Sequence, residues 1–364
     1  MKRIFLSPPH ISKKEQEAVN NALESGWIAP MGTYIDAFTS ILEKHYQSNI
    51  LLTNSGTSAI HLALITLKIK KNDIVLCSNF TFAATAFPIL YEKATPYFIG
   101  IERETWNISP EFLSDAISKL KSQGKKPKAL LLAYSYGMPA KWAEIEKICT
   151  ENDIIIIEDA AEAVGSTYND TPLGTFGEFG ILSFNGNKII TCSSGGALIS
   201  KDKTKIEYSK KIASQAKEKV NFYKHNELGY NYLQSNILAA IGHEQFKQIE
   251  NKVAKRRENF EYYMGNLEEY IIDYPKELKN TFSNRWLSSF IVKNSEKVTS
   301  ELEKQNIESR KLWFPLNKQK IFSRYKYSGD LYENELFANG ICLPSGNNLT
   351  IQDLFKVCEI IKKI

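Results

Sequence analysis

The chain has 364 residues, 43% of them hydrophobic and 24% charged, and no apolar run approaches the roughly 18 residues of a membrane-spanning helix. This length and composition predict a globular protein of two domains and exclude a disordered chain. The net charge of +5 is the balance of 46 basic and 41 acidic residues spread along the chain. It argues against nucleic-acid binding and suits a small anionic substrate.

The beginning of the chain and its cysteines both predict a cytoplasmic protein. Residues 1–10 start with basic side chains, but Pro8 and Pro9 interrupt the segment before the apolar core of a signal peptide can form. The five cysteines are scattered without CxxC spacing, a pattern that predicts neither disulfides nor structural zinc. They are Cys77, Cys149, Cys192, Cys342 and Cys358.

A loop of small residues at positions 53–58 leads into a predicted helix. Gly56 and Thr57 would lie in its first turn, where free N–H groups and the positive end of the helix dipole bind phosphate. The alternative is an ordinary serine or threonine N-cap without an anion. We therefore predict a phosphate cradle at Gly56 and Thr57, with the hydroxyl of Ser183 as a further donor.

Between residues 50 and 200, short apolar runs alternate with helical stretches, which predicts βαβ units around a mostly parallel sheet. The run at 154–157 shows no alternation, so its strand is predicted at the buried centre of the sheet. Phe82, which follows the first predicted strand, would stack on a flat cofactor ring or simply pack in the core. The predicted strands are residues 73–78, 96–101, 129–134, 154–158, 180–184 and 196–200.

Asp159 directly follows the predicted central strand. The carboxyl ends of parallel strands form the ligand-binding edge of an α/β sheet, so a carboxylate at this position would face a cofactor. The alternative is that Asp159 or Glu158 caps the next helix.

Lys188 follows the predicted strand 180–184 after the short turn Asn185-Gly186-Asn187. A lysine on such a turn can enter the same cleft as Asp159, where its partly buried amine would act as a nucleophile towards an aldehyde. The alternative is a solvated surface charge, since the chain is rich in lysine. The flanking glycines and small polar residues argue against that alternative.

From Leu233 to about Leu267, apolar residues recur at helical spacing, which predicts one long helix or two joined helices. We place the domain boundary near its start. The chain would then consist of a large domain, residues 1–240, and a small α+β domain, residues 241–364.

Other common active-site patterns are missing from the sequence. The five histidines show no HxxxH or carboxylate clustering, so no catalytic zinc is predicted. No nucleophile elbow occurs in a credible context, and a nicotinamide-dependent oxidoreductase lacks its glycine-rich dinucleotide loop.

Four segments, in their order and spacing, resemble the DegT/DnrJ/EryC1/StrS sugar aminotransferases, and the resemblance covers almost the whole chain. They are residues 54–57, 158–165, 183–191 and 229–232. Further segments resemble the C4 transaminases of the UDP-N-acetylbacillosamine pathway, namely residues 6–10, 27–30, 283–287 and 340–346. The resemblance implies fold type I, the aspartate aminotransferase architecture, in a homodimer whose two active sites are each built from both subunits.

The resemblance also implies roles around pyridoxal 5'-phosphate. Lys188 would form a Schiff base with the cofactor and later move a proton to or from the sugar carbon. Asp159 would pair with the pyridinium nitrogen and keep it protonated. The remaining cofactor contacts would be the phosphate-binding residues and residues at the ring, namely Gly56, Thr57, Ser183 and the neighbouring chain's Asn231 for the phosphate, and Phe82 and Glu162 for the ring.

The reaction implied is a two-stage exchange with ping-pong kinetics. L-glutamate gives its amine to the cofactor, and a nucleotide-linked 4-keto sugar then takes it. The resemblance implies amination at C4, because family members with Gln at the position of Glu162 often act at C3, whereas Glu or His there resembles the C4 group. The predicted acceptor is a UDP-4-keto-6-deoxy-N-acetylhexosamine. Alternatives are a dTDP- or GDP-linked keto sugar aminated at C3 or C4, a dehydratase, which Lys188 argues against, and a non-catalytic regulator that binds the cofactor.

Three residues are predicted to contact the substrate. Arg285 and Arg310 would meet a substrate anion, and a surface salt bridge is the alternative for each. Asn317 would be the third contact, at a position where the family often has histidine. The chain also departs from the family at Leu233, where arginine is usual.

Overall fold

The computed structural model describes residues 3–364, so Met1 and Lys2, the first residues of the segment considered as a possible leader, lie outside the described residues. No helix within residues 3–364 is long and apolar enough to cross a membrane. The α-helices in this range are α1 Lys13–Glu24, α2 Thr33–Tyr46, α3 Gly56–Thr66, α4 Phe87–Tyr91, α5 Pro110–Lys121, α6 Trp142–Thr150, α7 Lys203–Ala213, α8 Asn236–Phe246, α9 Ile249–Leu267, α10 Ser295–Lys304, α11 Tyr332–Asn339 and α12 Ile351–Ile361.

The β-strands of the same range form three sheets. They are β1 Asn49–Thr53, β2 Ile74–Ser78, β3 Thr95–Ile99, β4 Pro127–Ala133, β5 Ile155–Asp159, β6 Thr167–Tyr168, β7 Thr171–Pro172, β8 Phe179–Ser183, β9 Gly196–Ser200, β10 Ile271–Asp273, β11 Thr281–Phe282, β12 Ser288–Val292, β13 Arg310–Lys311, β14 Tyr327–Ser328 and β15 Gly340–Leu343.

The large sheet has the strand order β1-β9-β8-β5-β4-β2-β3-β14. Neighbouring strands from β8 to β14 are parallel. Only β9 runs in the opposite direction, because it pairs antiparallel with both β8 and β1. The predicted α/β fold with a mostly parallel sheet is confirmed, and β5 lies in the middle as predicted. All six predicted strands form with ends shifted by at most two residues, whereas β1 was not predicted.

Both faces of the large sheet are buried, because side chains of each strand alternate between two hydrophobic cores. In β4, Leu130 and Leu132 join one core, while Ala129 and Leu131 join the other. This double burial explains the continuous apolar runs that identified the strands.

The C-terminal part forms an antiparallel sheet of order β10-β12-β15-β13, whose apolar side chains share a core with those of α9 and α12. The predicted long helix is two helices, α8 and α9, and α8 packs against α1 and α2. Val253 in α9 belongs to the core of the large sheet that also contains Leu130. Phe260 and Tyr263 belong to a separate core, which they share with residues of the antiparallel sheet. The division after residue 240 stays a prediction.

Candidate active site

The main polar cavity opens at the carboxyl ends of the parallel strands and has a volume of about 420 Å3. It is lined by residues that follow β1, β2, β5 and β8, so the sheet topology alone brings distant parts of the chain together. Such an edge is where α/β proteins bind ligands. The structure places both Asp159 and Lys188 in this cavity.

Lys188 is fixed by the turn after β8, where its N–H donates a hydrogen bond to the carbonyl of Asn185 (3.0 Å). Its Nζ lies 3.5 Å from Glu162 Oε1 and 4.3 Å from the centroid of the Trp286 ring. Only 12% of the side chain is exposed. The solvated surface charge considered as an alternative is therefore excluded by its position.

Asp159 ends β5 with its carboxylate buried. Its Oδ2 accepts a hydrogen bond from Thr85 Oγ1 (2.6 Å), and its Oδ1 accepts one from the N–H of Ala161 (3.2 Å). Burial raises the pKa of this carboxyl, while the bond from Thr85 and the charge of Lys188 lower it. No helix forms at residues 160–163, of which 161 and 162 are in a turn, so helix capping does not explain the carboxylate.

The neighbouring acid, Glu158, has a structural role instead. Its side chain is buried and accepts hydrogen bonds from Tyr134 Oη (2.6 Å) and from the N–H groups of Gly174, Phe176 and Gly177. Through the three N–H donors, Glu158 holds the segment before β8 in place. Glu158 does not line the cavity.

Glu162 is the second carboxylate of the cavity. Its Oε2 accepts a hydrogen bond from the N–H of Tyr136 (2.7 Å), and its Oε1 faces Lys188. Burial raises the pKa of Glu162, and the positive charge of Lys188 lowers it. Asp159 and Glu162 therefore share the cavity with one lysine. The positive charge of Lys188 partly offsets the free-energy cost of burying the two carboxylates.

The predicted phosphate cradle has the local structure that an anion site needs. Ser55 caps α3 by accepting a hydrogen bond from the N–H of Ser58 (3.1 Å), so the N-cap exists as well. Gly56, Thr57 and Ser183 all line the cavity beside this helix end. A Cβ added to Gly56 would lie 3.2 Å from Ser183 Cβ, so the glycine allows helix and strand to approach closely.

Phe82 and Asn231 lie at different distances from the cavity. Phe82 lines it, is 56% exposed, and has its ring centroid 5.8 Å from that of Trp313. Asn231 is exposed and does not line the cavity of its own chain, although its carbonyl accepts a hydrogen bond from Asn54 Nδ2 (3.2 Å). Its contribution to a neighbouring chain's site stays a prediction.

Only one of the three predicted substrate contacts lies at the cavity. Arg310 lines it, and its Nη2 is 2.8 Å from Glu308 Oε1. Arg285 is buried away from it, because its guanidinium lies over the ring of Phe260. Asn317 also lies outside the cavity, where it exchanges hydrogen bonds with Asn79. For Arg285 and Asn317 the structure thus disagrees with a contact in this cavity.

An aromatic wall beside Lys188 was not anticipated from the sequence. The ring of Tyr136 is stacked against Trp313 (centroids 5.7 Å apart) and Trp286 (6.5 Å). A second cavity of about 390 Å3 lies behind this wall and shares Trp286, Trp313, Arg310 and Asn187 with the first. The three rings come from separate segments, so only the folded chain identifies them as one surface.

The residues of the cavity fit pyridoxal phosphate, the cofactor that the sequence predicts. A buried carboxylate suits a protonated ring nitrogen, a helix N-terminus with adjacent hydroxyls suits a phosphate, and a shielded lysine suits an aldehyde. Within the described residues, no group of three or more histidine, cysteine or acidic side chains is arranged to hold a metal ion.

Comparison with known sequences identifies a family and several relatives. The DegT/DnrJ/EryC1/StrS aminotransferase family matches residues 9–362. "Putative pyridoxal phosphate-dependent aminotransferase EpsN" of Bacillus subtilis is 43% identical, covering 99% of this chain and 95% of the relative. GDP-perosamine synthase of Escherichia coli O157:H7 is 33% identical (100% and 99% covered). UDP-4-amino-4,6-dideoxy-N-acetyl-beta-L-altrosamine transaminase of Campylobacter jejuni is 30% identical (82% and 81%).

Solved structures share the fold at lower sequence identity. A DegT DnrJ EryC1 StrS aminotransferase from Brucella abortus superimposes with a TM-score of 0.91 at 24% identity, covering 96% of this chain and 95% of that one. The PLP-form of the sugar aminotransferase Spr1654, named as putative, from Streptococcus pneumoniae gives a TM-score of 0.90 at 22% identity, with 100% and 98% covered. This similarity supports the fold described above.

Proposed function

Because the chain belongs to the DegT/DnrJ/EryC1/StrS aminotransferase family, we propose that it moves the amino group of L-glutamate to C4 of a UDP-4-keto-6-deoxy-N-acetylhexosamine. It is a pyridoxal phosphate-dependent sugar aminotransferase. The product would be a UDP-linked 4-amino sugar for a surface glycan or glycoprotein, made in the cytoplasm by a homodimer.

One observation carries the proposal: a shielded lysine and a buried carboxylate line the same cavity at the carboxyl edge of the sheet. Pyridoxal phosphate supplies an aldehyde that reacts with amines and a ring that accepts electrons. Asp159 would hold the proton of the ring nitrogen, because an ionised carboxylate favours a cation beside it. Lys188 Nζ would react with the aldehyde.

The other residues of the cavity would fix the cofactor in place. Gly56 and Thr57 at the start of α3, together with the hydroxyl of Ser183, would hold the phosphate. Phe82 would cover the ring face. Asn231 is exposed beside the phosphate loop of its own chain, so it is free to reach the phosphate in a partner subunit.

Lys188 and Glu162 would handle the proton that the reaction moves. Once its amine is free, Lys188 Nζ can take a proton from the substrate carbon and return it. Glu162 Oε1, 3.5 Å away, balances the positive charge that forms on Nζ. The ring of Trp286 covers Lys188 Nζ on one side.

The choice of acceptor rests on a relative and on the residue at position 162. A relative named as a UDP-linked amino-sugar transaminase is 30% identical over 82% of this chain. Glu162 also resembles the residue found at this position in the family members that act at C4. Arg310 at the cavity mouth would meet a carboxylate of glutamate or a substrate phosphate. A GDP-linked 4-keto sugar is the second candidate, because a GDP-perosamine synthase is 33% identical over the whole chain.

The proposal is tested by incubating the purified protein and cofactor with L-glutamate and a panel of UDP-, dTDP- and GDP-linked 4-keto sugars. Each product is scored by mass. We expect efficient amination of the UDP-linked N-acetyl sugar alone. Better turnover of a GDP-linked sugar would favour the second candidate, and equal turnover of all three would contradict the proposed selectivity.

A control without sugar separates an enzyme from a regulator. An aminotransferase converts stoichiometric glutamate to 2-oxoglutarate and changes the visible spectrum of its cofactor, because the first half of the exchange needs no acceptor. No 2-oxoglutarate in this control would exclude glutamate as the donor.

A further inference from the structure

Arg256 is a buried arginine whose hydrogen-bond partners, within residues 3–364, include no carboxylate. It lies in α9, is 1% exposed, and burial lowers the pKa of its guanidinium to about 9. A buried cation without a counter-ion is unfavourable unless its donors are well used. The acceptors of its hydrogen bonds therefore indicate the role of the side chain.

The guanidinium holds three separate segments together. Nη1 and Nη2 each donate to Ser7 Oγ at 3.0 Å, and Nη1 also donates to the carbonyl of Trp286 at 2.7 Å. Nε donates to Asn347 Oδ1 at 2.9 Å. Arg256 thus fixes the N-terminal segment and the backbone of Trp286 against one rigid planar group.

Ser7 and Trp286 converge on one atom, the carbonyl oxygen of Asn187. Ser7 Oγ donates to it at 2.7 Å, and Trp286 Nε1 donates to it at 2.8 Å. The two acceptor sites of the Ser7 hydroxyl face the two N–H groups of Arg256, so its only proton is directed towards Asn187. Arg256 therefore sets the direction of this bond.

Asn187 immediately precedes Lys188, and a planar peptide bond joins its carbonyl to the lysine N–H. A carbonyl held by two donors orients the backbone from which Lys188 extends. The ring of Trp286 also lies 4.3 Å from Lys188 Nζ. We propose that Arg256 is a positioning residue for Lys188, acting through Ser7 and Trp286; the inference rests on the proposed role of Lys188.

The test compares four variants of the cofactor-loaded protein. Arg256→Lys keeps a cation but lacks the rigid planar fork that joins the three segments, and Ser7→Ala removes the donor to Asn187. Ser7→Thr restores a hydroxyl at that position. Arg257→Lys is the matched control, because this neighbour on α9 pairs with Glu277 Oε1 (2.6 Å) and lies away from both cavities.

The first readout is the pH at which the visible band of the bound cofactor titrates. The face of Trp286 favours positive charge on Nζ, so loosening it should lower the midpoint by about half a pH unit in Arg256→Lys and Ser7→Ala. The same variants should lose about tenfold in kcat, the size of one lost hydrogen bond, with little change in KM for glutamate. Ser7→Thr and Arg257→Lys should resemble the wild type.

The second readout needs no cofactor. Amide hydrogen exchange in the peptide covering residues 185–190 should be at least about threefold faster in the cofactor-free Ser7→Ala protein than in Arg257→Lys. If Arg256→Lys does not fold, the exchange rate and the titration midpoint of Ser7→Ala alone test the proposal. The proposal would be overturned if residues 185–190 of Ser7→Ala exchanged at the wild-type rate and the midpoint of its cofactor titration were equal to or higher than that of the wild type. Faster exchange in a protein that never binds pyridoxal phosphate would support the positioning and refute the proposed function.

Discussion

Replacing Asp159 by asparagine should have opposite effects on cofactor binding and on the stability of the cofactor-free protein. The substitution removes a buried negative charge while keeping the shape of the side chain. The N–H of Ala161 can still donate to the remaining amide oxygen. The Thr85 hydroxyl can reverse and accept from the new amide, because Thr81 Oγ1 lies 3.1 Å away to receive its proton.

The magnitude for binding follows from the lost charge. A hydrogen bond to a charged group contributes roughly 1.5–3 kcal/mol, which corresponds to an affinity for pyridoxal phosphate that is about 10- to 100-fold weaker. The loss should be seen by titrating the cofactor-free protein with pyridoxal phosphate and following the visible absorbance. Asp153→Asn is the control, because Asp153 is an exposed acid paired with Lys126 on the surface.

The effect on stability has a defined pH dependence. Burial raises the pKa of Asp159, so the folded protein binds a proton more readily than the unfolded chain does. The free energy of unfolding of the wild type therefore falls as pH rises from the ordinary carboxyl value through the raised one. The asparagine variant lacks this contribution. Its Tm relative to wild type, both without cofactor, should increase with pH across that window.

Two results would refute this reasoning. Wild-type affinity of Asp159→Asn for pyridoxal phosphate would mean that the carboxylate does not pair with the cofactor ring. A Tm difference that shrinks as pH rises would mean that Asp159 is stabilised as an anion despite its burial.

Three further predictions concern the walls of the cavity and its support. Phe82→Ala should weaken cofactor binding about 3- to 10-fold, the worth of one aromatic stacking contact, as measured by the same titration. Gly196→Ala should lower both Tm and cofactor affinity, because the added Cβ would lie 2.5 Å from the backbone nitrogen of Gly56; unchanged thermal melts and titrations would contradict the close packing. Tyr134→Phe should reduce the free energy of unfolding by about 1–3 kcal/mol in urea titrations, because Glu158 loses its hydroxyl donor; unchanged unfolding would show that the bond contributes nothing.

The sequence predicted the centre of the fold better than its edges. The strands β2 to β5, β8 and β9 are recognisable in the sequence because they are buried on both faces and therefore consist mostly of apolar residues. The strand β1 was missed, and β14 joins the large sheet from far along the chain. Pairing over such a distance leaves no local pattern to detect.

The sequence predicted those residues of the candidate site that lie in short segments next to a strand. Asp159, Lys188 and Gly56 each follow or precede a strand, so topology places them together at the sheet edge. A motif gives no side-chain direction, and in the structure the cation of Arg285 faces the ring of Phe260 in α9. Trp286 and its aromatic neighbours were missed because their stacking depends on contacts between segments far apart in sequence.

The central claim is that the amine of Lys188 reacts with the cofactor aldehyde. The direct measurement is to reduce the protein loaded with pyridoxal phosphate with borohydride, digest it, and locate the added mass on a peptide. We predict one modified residue, Lys188, and no labelling of a folded Lys188→Ala variant. Attachment to another lysine, or no attachment to the wild-type protein, would contradict the account.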